Sequence, residues 1–346
     1  MTMKRGRSSL LVVALAGGCG GNDGGMTDGG GSSTGTTATS SDTGETTVVD
    51  PTEDVDTGSS STSGEAQHPA VAAFWAAFLA EDYGALDQVS ADLDAAAAEM
   101  SDDPEVVLSA ALAHLWRLAE FERDPDQGLS VQIGSSMAAL AGLKAAKALA
   151  PEDPRIPCYL GLLMIDTGEA IGDQQMAAQG HAEIDAAIEG FPEFSLFCRM
   201  LEYGDAPRDS PEFQQAVDAM WTSLDLCYPM VDPSLPDVSS YLDQQTDQGI
   251  KRVCWNLVPK AMHNWEGYFL HAGDIIAKTG DVEVATVLYE NAMLLDWDSW
   301  LHQDLIDQRL ADVAARADSY QDADPANDAA VGSGRYSCTM CHGGST

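Results

Sequence analysis

Apolar side chains recur three and four residues apart over most of this 346-residue chain, and no comparable stretch alternates with period two. That spacing puts one stripe of side chains on one face of an α-helix. His68-Pro69 opens the first such pattern, with a proline suited to a first helical turn and Val71, Phe74, Trp75, Phe78 and Leu79 along one stripe. Ser101-Asp102-Asp103-Pro104 is a second start signal, followed by Val107, Leu108, Ala111, Leu112, Leu115 and Leu118. Hydrophobic residues make up 45% of the chain and aromatics 7%, so the core rests on Ala and Leu, which suits closely packed helices. The predicted fold class is all-α: an antiparallel helix-hairpin array over residues 66–320, between a disordered linker and a short tail.

The N-terminus reads as an export signal. Lys4, Arg5 and Arg7 precede an apolar run from Leu10 to Ala16, and Gly17 and Gly18 precede Cys19. The run is too short to span a bilayer permanently, and no later segment offers about 20 uninterrupted apolar residues. Leu15-Ala16-Gly17-Gly18-Cys19 resembles the bacterial lipobox, with Ala16 where the family more often has Leu. The resemblance implies removal of residues 1–18, lipidation of Cys19 and a membrane anchor. Gly20 in place of an aspartate makes the outer membrane the default over the inner. A cleaved signal with an incidental cysteine is the alternative.

Residues 19–65 are Gly, Ser, Thr and scattered acids, with no Lys or Arg. Such a segment buries too little apolar surface to offset its chain entropy. It reads as a tether with a relaxed reach of about 35–40 Å; a glycosylation platform is the other reading of its Ser/Thr density.

Within the body, Ala139, Leu143, Ala146 and Pro151 are followed by Leu160-Gly161. Near the other end, Phe269, Ala272-Gly273 and Ile276 precede the turn Gly280-Asp281, and Ala285, Tyr289 and Ala292 follow it. Ile184, Ala187 and Pro192 form a poorer copy, with an insertion expected between its helices. These spacings resemble the tetratricopeptide repeat over about residues 104–318, with Trp297 where that family expects proline. The resemblance implies a concave surface for a protein or peptide partner and carries no catalytic residue.

Seven cysteines divide into Cys19, four in the body (Cys158, Cys198, Cys227, Cys254) and two at the end. In an exported chain the four allow disulfides in three connectivities, and Cys227 with Cys254 is the favoured pair because they flank one Pro-containing connection. Buried unpaired thiols are the alternative.

Cys338-Thr339-Met340-Cys341-His342 is a CxxCH motif. Two thiols three residues apart reach the two vinyl groups on one porphyrin edge, and the adjacent imidazole gives iron its proximal nitrogen. With Arg335 the motif resembles the RxxCxxCH of class II cytochromes c, which implies one covalent haem c held by Cys338 and Cys341, with His342 on the iron. Only four residues follow it, which excludes a class I cytochrome domain, and 321–346 otherwise reads as a loose linker. A CxxC disulfide or metal-binding tail without haem is the alternative. His263 is the first candidate for the distal iron ligand, His271 and His302 come after it, and a five-coordinate iron is equally open. His263 and Glu266, three apart, are otherwise a capping or surface pair. Trp255, Trp265, Trp297 and Trp300 read as core.

No HExxH, phosphate-binding GxxxxGK[ST], GxSxG or dinucleotide fingerprint occurs. The net charge of −38 opposes nucleic-acid and anionic-lipid binding, and loss of Lys4, Arg5 and Arg7 with the signal takes it to −41. A redox partner would therefore be basic, and the best-supported roles are an electron-transfer protein or subunit of a redox assembly, a carrier in preference to an enzyme, with a haem-free binding scaffold as the alternative.

Overall fold

A computed structural model describes residues 67–119, 128–228, 232–240, 265–294, 300 and 302–321. Those residues form eleven α-helices and no strand beyond an isolated bridge between Asp232 and Leu235. The helices are α1 (Pro69–Leu79), α2 (Leu86–Glu99), α3 (Pro104–Ala119), α4 (Leu129–Leu149), α5 (Arg155–Ile171) and α6 (Gln174–Gly190), then α7 (Pro192–Tyr203), α8 (Pro211–Cys227), α9 (Trp265–Thr279), α10 (Val282–Ala292) and α11 (Gln303–Ser319). Consecutive helices pack as hairpins, most extensively α3 with α4, α5 with α6, α7 with α8 and α9 with α10. The fold is an all-α helical hairpin array.

The start signals act through named atoms. His68 Nδ1 accepts the Ala70 amide at 3.2 Å, and Asp103 Oδ1 accepts the amides of Glu105 and Val106 at 2.9 and 3.2 Å, so orphan donors of α1 and α3 are capped. Two hairpins turn on the same dipeptide. Gly172 and Gly280 have φ of +74° and +97°, left-handed values that let the first helix stop, and Asp173 and Asp281 then cap α6 and α10. The insertion expected between Leu160-Gly161 and Ile184 is not a loop. α5 and α6 have 17 residues each and are joined by Gly172-Asp173, so the extra length is helical. Where these two helices cross, a Cβ on Gly161 would lie 2.7 Å from the Gly180 carbonyl, and one on Gly180 2.6 Å from the Gly161 carbonyl. The backbones touch because neither position carries a side chain.

The core is divided among the hairpins. α3 is apolar on two faces: Val106, Ala110, Ala113 and Trp116 pack with α1 and α2, while Val107, Leu108, Ala111 and Leu115 pack with α4 and α5. Trp116 meets the rings of Phe78 and Tyr83 edge-on at 5.1 and 5.8 Å. A larger core runs from α5 to α11 and includes Phe269, Ala272, Ile276, Ala285, Tyr289 and Ala292, all residues that carry the repeat pattern.

Three polar devices complete the packing. Asp274 of α9 is fully buried and accepts from Tyr289 Oη at 2.8 Å, Arg309 Nε at 2.7 Å and Arg316 Nη2 at 3.2 Å, so one carboxylate fastens α10 and α11 to α9. Lys278, also fully buried, donates to the carbonyls of Gly204 and Ala206 at 3.1 and 2.7 Å and lies over the Phe213 ring. Glu81, whose φ of +52° is the one positive value at a non-glycine among the described residues, pairs with His302 Nε2 at 3.0 Å. That contact joins the loop after α1 to the start of α11.

Candidate functional site

Most of the residues singled out in the sequence lie outside the described residues: Cys19, Cys254, Trp255, His263, Trp297, Cys338, Cys341 and His342. Cys227 closes α8, and its favoured partner Cys254 is among those not described. The disulfide that the structure shows is Cys158–Cys198, with Cα atoms 5.9 Å apart, joining α5 to α7. This replaces the reading of those two as unpaired buried thiols. Of the three connectivities it leaves only the one that also contains Cys227 with Cys254. Sequence offered no reason for it because the two cysteines sit within different helices, 40 residues apart, and meet only through packing of consecutive hairpins.

The remaining candidates have structural employment. His271 is buried in α9 with its ring 5.5 Å from that of Phe197. His302 has Nε2 on Glu81. Glu266, read as half of a capping or surface pair, is buried in the first turn of α9, because that turn packs inward. Trp265 and Trp300 are core residues, the former among Tyr228, Tyr268 and Phe269.

A constellation not foreseen in the sequence lies across α6 and α7. His181 Nδ1 pairs with Glu202 Oε1, and Arg199 Nη1 donates to Glu202 Oε2 at 2.7 Å while its Nη2 pairs with Asp185. The Glu202 side chain is 1% exposed and that of His181 38%. The His181 ring stacks on Tyr203 at 6.0 Å, and the Arg199 guanidinium lies 5.2 Å from the same ring. Burial pushes the Glu202 carboxyl above its ordinary range, against the pull of the His181 hydrogen bond and the Arg199 charge. Tyr203 is raised by burial first and then by the Glu202 charge. The helical spacings His181 to Asp185 and Arg199 to Glu202 were visible as i,i+4 and i,i+3 pairs. Nothing in the sequence joined the two pairs.

Chemically, this arrangement presents one imidazole outward with its other nitrogen fixed by a buried carboxylate. It contains no serine, threonine or cysteine. Among the described residues no group of three or more His, Cys, Asp or Glu converges to hold a metal ion, and no helix is long and apolar enough to cross a membrane. The two best-formed grooves are open; one of about 360 Å³ is lined by Lys144, Lys147, Leu160 and Met164 with Gln179, Ala182 and Glu183.

Tyr320 lies 5.9 Å from Lys278 Nζ, which holds the Gly204 carbonyl, and Gln321 accepts a hydrogen bond from Arg208 in the α7–α8 turn. Gly204 directly follows Tyr203.

No protein-family model, curated protein or solved structure matches this chain.

Proposed function

We propose that the protein is an exported, lipid-anchored carrier of one haem c, serving electron transfer alone or as a subunit of a redox assembly. The observation that carries the reading is Cys338-Thr339-Met340-Cys341-His342, whose donor set fits haem c: two thiols for the vinyl groups and an adjacent imidazole for iron. Cys338 and Cys341 hold the porphyrin and His342 the iron. The group, when bound, supplies one-electron redox chemistry between the ferric and ferrous states.

The buried Cys158–Cys198 disulfide supports export, since such bonds persist in oxidising compartments. Cys19 supplies the anchor, most readily in the outer membrane, and residues 20–65 the distance from it. The tetratricopeptide-like array is the scaffold.

The charge distribution supports a basic redox partner. Arg117 is held by Asp87, Lys147 by Glu183, Arg155 by Asp153 and Glu105, and Arg309 and Arg316 by Asp274. α11 therefore turns both arginines inward and leaves Asp304, Asp307, Asp312 and Asp318 exposed. A basic surface would be steered to that face and released by salt.

The test is expression with a cytochrome c maturation system, followed by haem staining after denaturing electrophoresis. Stain that stays with the polypeptide and disappears in C338S/C341S supports the reading. A stain-free product beside a matured control cytochrome sinks it and leaves the haem-free binding scaffold. Cys19→Ser is expected to shift the protein from the membrane to the soluble fraction.

A further inference from the structure

A glycine inside a helix is destabilising relative to alanine, so its usual warrant is a close approach by something else. Gly142, Gly161, Gly168, Gly180 and Gly273 have that warrant within the fold: a Cβ on any of them would lie 2.3–2.8 Å from an atom of a neighbouring helix. Gly134 of α4 does not. A Cβ there would have nothing within 4 Å, and the residue lies on open surface.

The face that carries Gly134 is apolar. Ser135, Ala139, Leu143 and Ala146 bury one side of α4, and the opposite side presents Ser130, Gly134, Met137, Ala141 and Ala145. Met137 is 68% exposed, and four of the eight large hydrophobic side chains exposed among the described residues lie on this one helix. α4 also carries two lysines and no Asp or Glu, and Lys147 is already paired with Glu183 of α6. α1 shares the lack of acids, but its exposed residues are Pro69 and alanines; every other helix described carries at least one acidic residue.

Charge and shape select the occupant. Copies of a chain with a net charge of −38 repel one another wherever carboxylates meet, and α4 offers an apolar face free of them. That face is also complementary to itself. Met137 is the large side chain in a row of small ones, with Gly134 three residues before it and Ala141 four after. In an antiparallel pair each Met137 enters the space over the other copy's Gly134 and Ala141, which gives the open glycine its close approach. Lys144 of each copy then falls beside Val131 of the other, and the two Lys144 stand about 20 Å apart along the axis, so the lysines do not oppose one another.

We propose that α4 is the contact of a symmetric dimer of this chain, two copies of the helix packing antiparallel about a twofold axis beside Met137 and Ala138. A single pair of 21-residue helices, about 32 Å long, covers less than the roughly 1,600 Å² of a standard interface, so association is micromolar or weaker. Salt screens the repulsion between the two acidic bodies and tightens the dimer, the opposite of its effect on a basic partner. The dimer does not depend on the haem-carrier reading.

The test is sedimentation velocity of the full chain carrying Cys19→Ser, so that no lipid drives association, with reductant present to exclude intermolecular disulfides. Concentration runs from micromolar to near-millimolar at low and high salt. The expected result is a monomer–dimer equilibrium that shifts toward dimer at high salt. Met137→Ala, which removes the large side chain without adding charge, and Ala141→Glu, which puts a carboxylate on the face, are each expected to weaken it at least about tenfold. Ile171→Glu alters an exposed apolar residue at the end of α5 and is expected to leave it unchanged. All three positions are exposed or partly so, and far-ultraviolet circular dichroism should match the parent chain. A monomer at every concentration, species larger than a dimer, a dimer weakened by salt, or one that survives both α4 variants overturns the proposal. Equal loss in Ile171→Glu overturns it as well, since the contact would then not be specific to α4.

Discussion

Replacing Asp274 with alanine removes the group to which α11 is fastened. The carboxylate is fully buried and accepts from Tyr289 Oη at 2.8 Å, Arg309 Nε at 2.7 Å and Arg316 Nη2 at 3.2 Å. Without it two guanidiniums lose their counter-charge and a buried phenol loses its acceptor. Breaking one side of a buried ion pair costs about 3–5 kcal/mol. The arginine side chains are 11% and 22% exposed, so water recovers part of that and the lower end, about 3 kcal/mol, applies. For a body of this size that is a fall in Tm of about 6–12 °C. Asp274→Asn keeps an acceptor for Tyr289 and is expected to lose about half as much. Urea denaturation followed by far-ultraviolet circular dichroism measures the loss, and limited proteolysis shows whether α11 is released first. A loss under about 1 kcal/mol, with α11 still protected, would refute the argument. The triple variant Asp274→Leu, Arg309→Met, Arg316→Met separates charge from shape. It is expected to recover most of the stability, because no uncompensated charge remains.

Four buried phenols set the alkaline limit, Tyr228 among them, raised by burial. Burial raises Tyr268 and Tyr289, and Tyr320 is pushed up to about 12. A phenol raised in the folded state contributes stability that is complete below its unfolded value near 10 and is lost as pH rises through the folded value, at about 1.4 kcal/mol per pH unit per group. The phenols should therefore add no pH dependence to the denaturation midpoint below pH 10 and make it fall steeply above, and Tyr320→Phe should soften the fall; a midpoint unchanged above pH 10 would contradict the burial. Gly273→Ala places a methyl into the ring of Tyr289, which Asp274 prevents from moving, for an expected loss of about 1–3 kcal/mol. Gly134→Ala, with open space around it in α4, should gain about 0.5–1 kcal/mol. The two glycine variants are ranked by thermal melts, and equal effects would refute the packing at Gly273. Replacing Cys158 and Cys198 with serine opens a loop of 40 residues and should cost about 3–4 kcal/mol, while reductant alone should leave the buried native bond intact by thiol labelling.

How far the sequence could be read depended on the range of the interaction. Helices α1 and α3 were legible because His68-Pro69 and Asp103-Pro104 act within a few residues of themselves. The hairpin of α9 and α10 was legible because Gly280-Asp281 separates two runs of small residues, whereas the identical Gly172-Asp173 joins two longer helices, whose extra turns resemble an insertion in the sequence. The buried charges were not legible. Asp274, Arg309 and Arg316 look like solvated helix residues, and only the packing of α11 on α9 brings them together. The same holds for His181 and Glu202, 21 residues apart on different helices. Local chemistry specified the elements; three-dimensional neighbours specified which polar side chains went inside.

The pairing of Glu81 with His302 bears on how such a chain can change over generations. An open array of helix pairs can gain or lose a unit with little penalty, because each unit meets only its neighbours. Here the loop after α1 meets the start of α11, across 221 residues of sequence. Duplicating or deleting one hairpin would carry His302 away from Glu81 and leave the Glu81 carboxylate, 7% exposed, without its imidazole. The number of hairpins between α1 and α11 is thereby tied to one contact, so a change in loop length or in a surface residue is tolerated where a change in hairpin count is not.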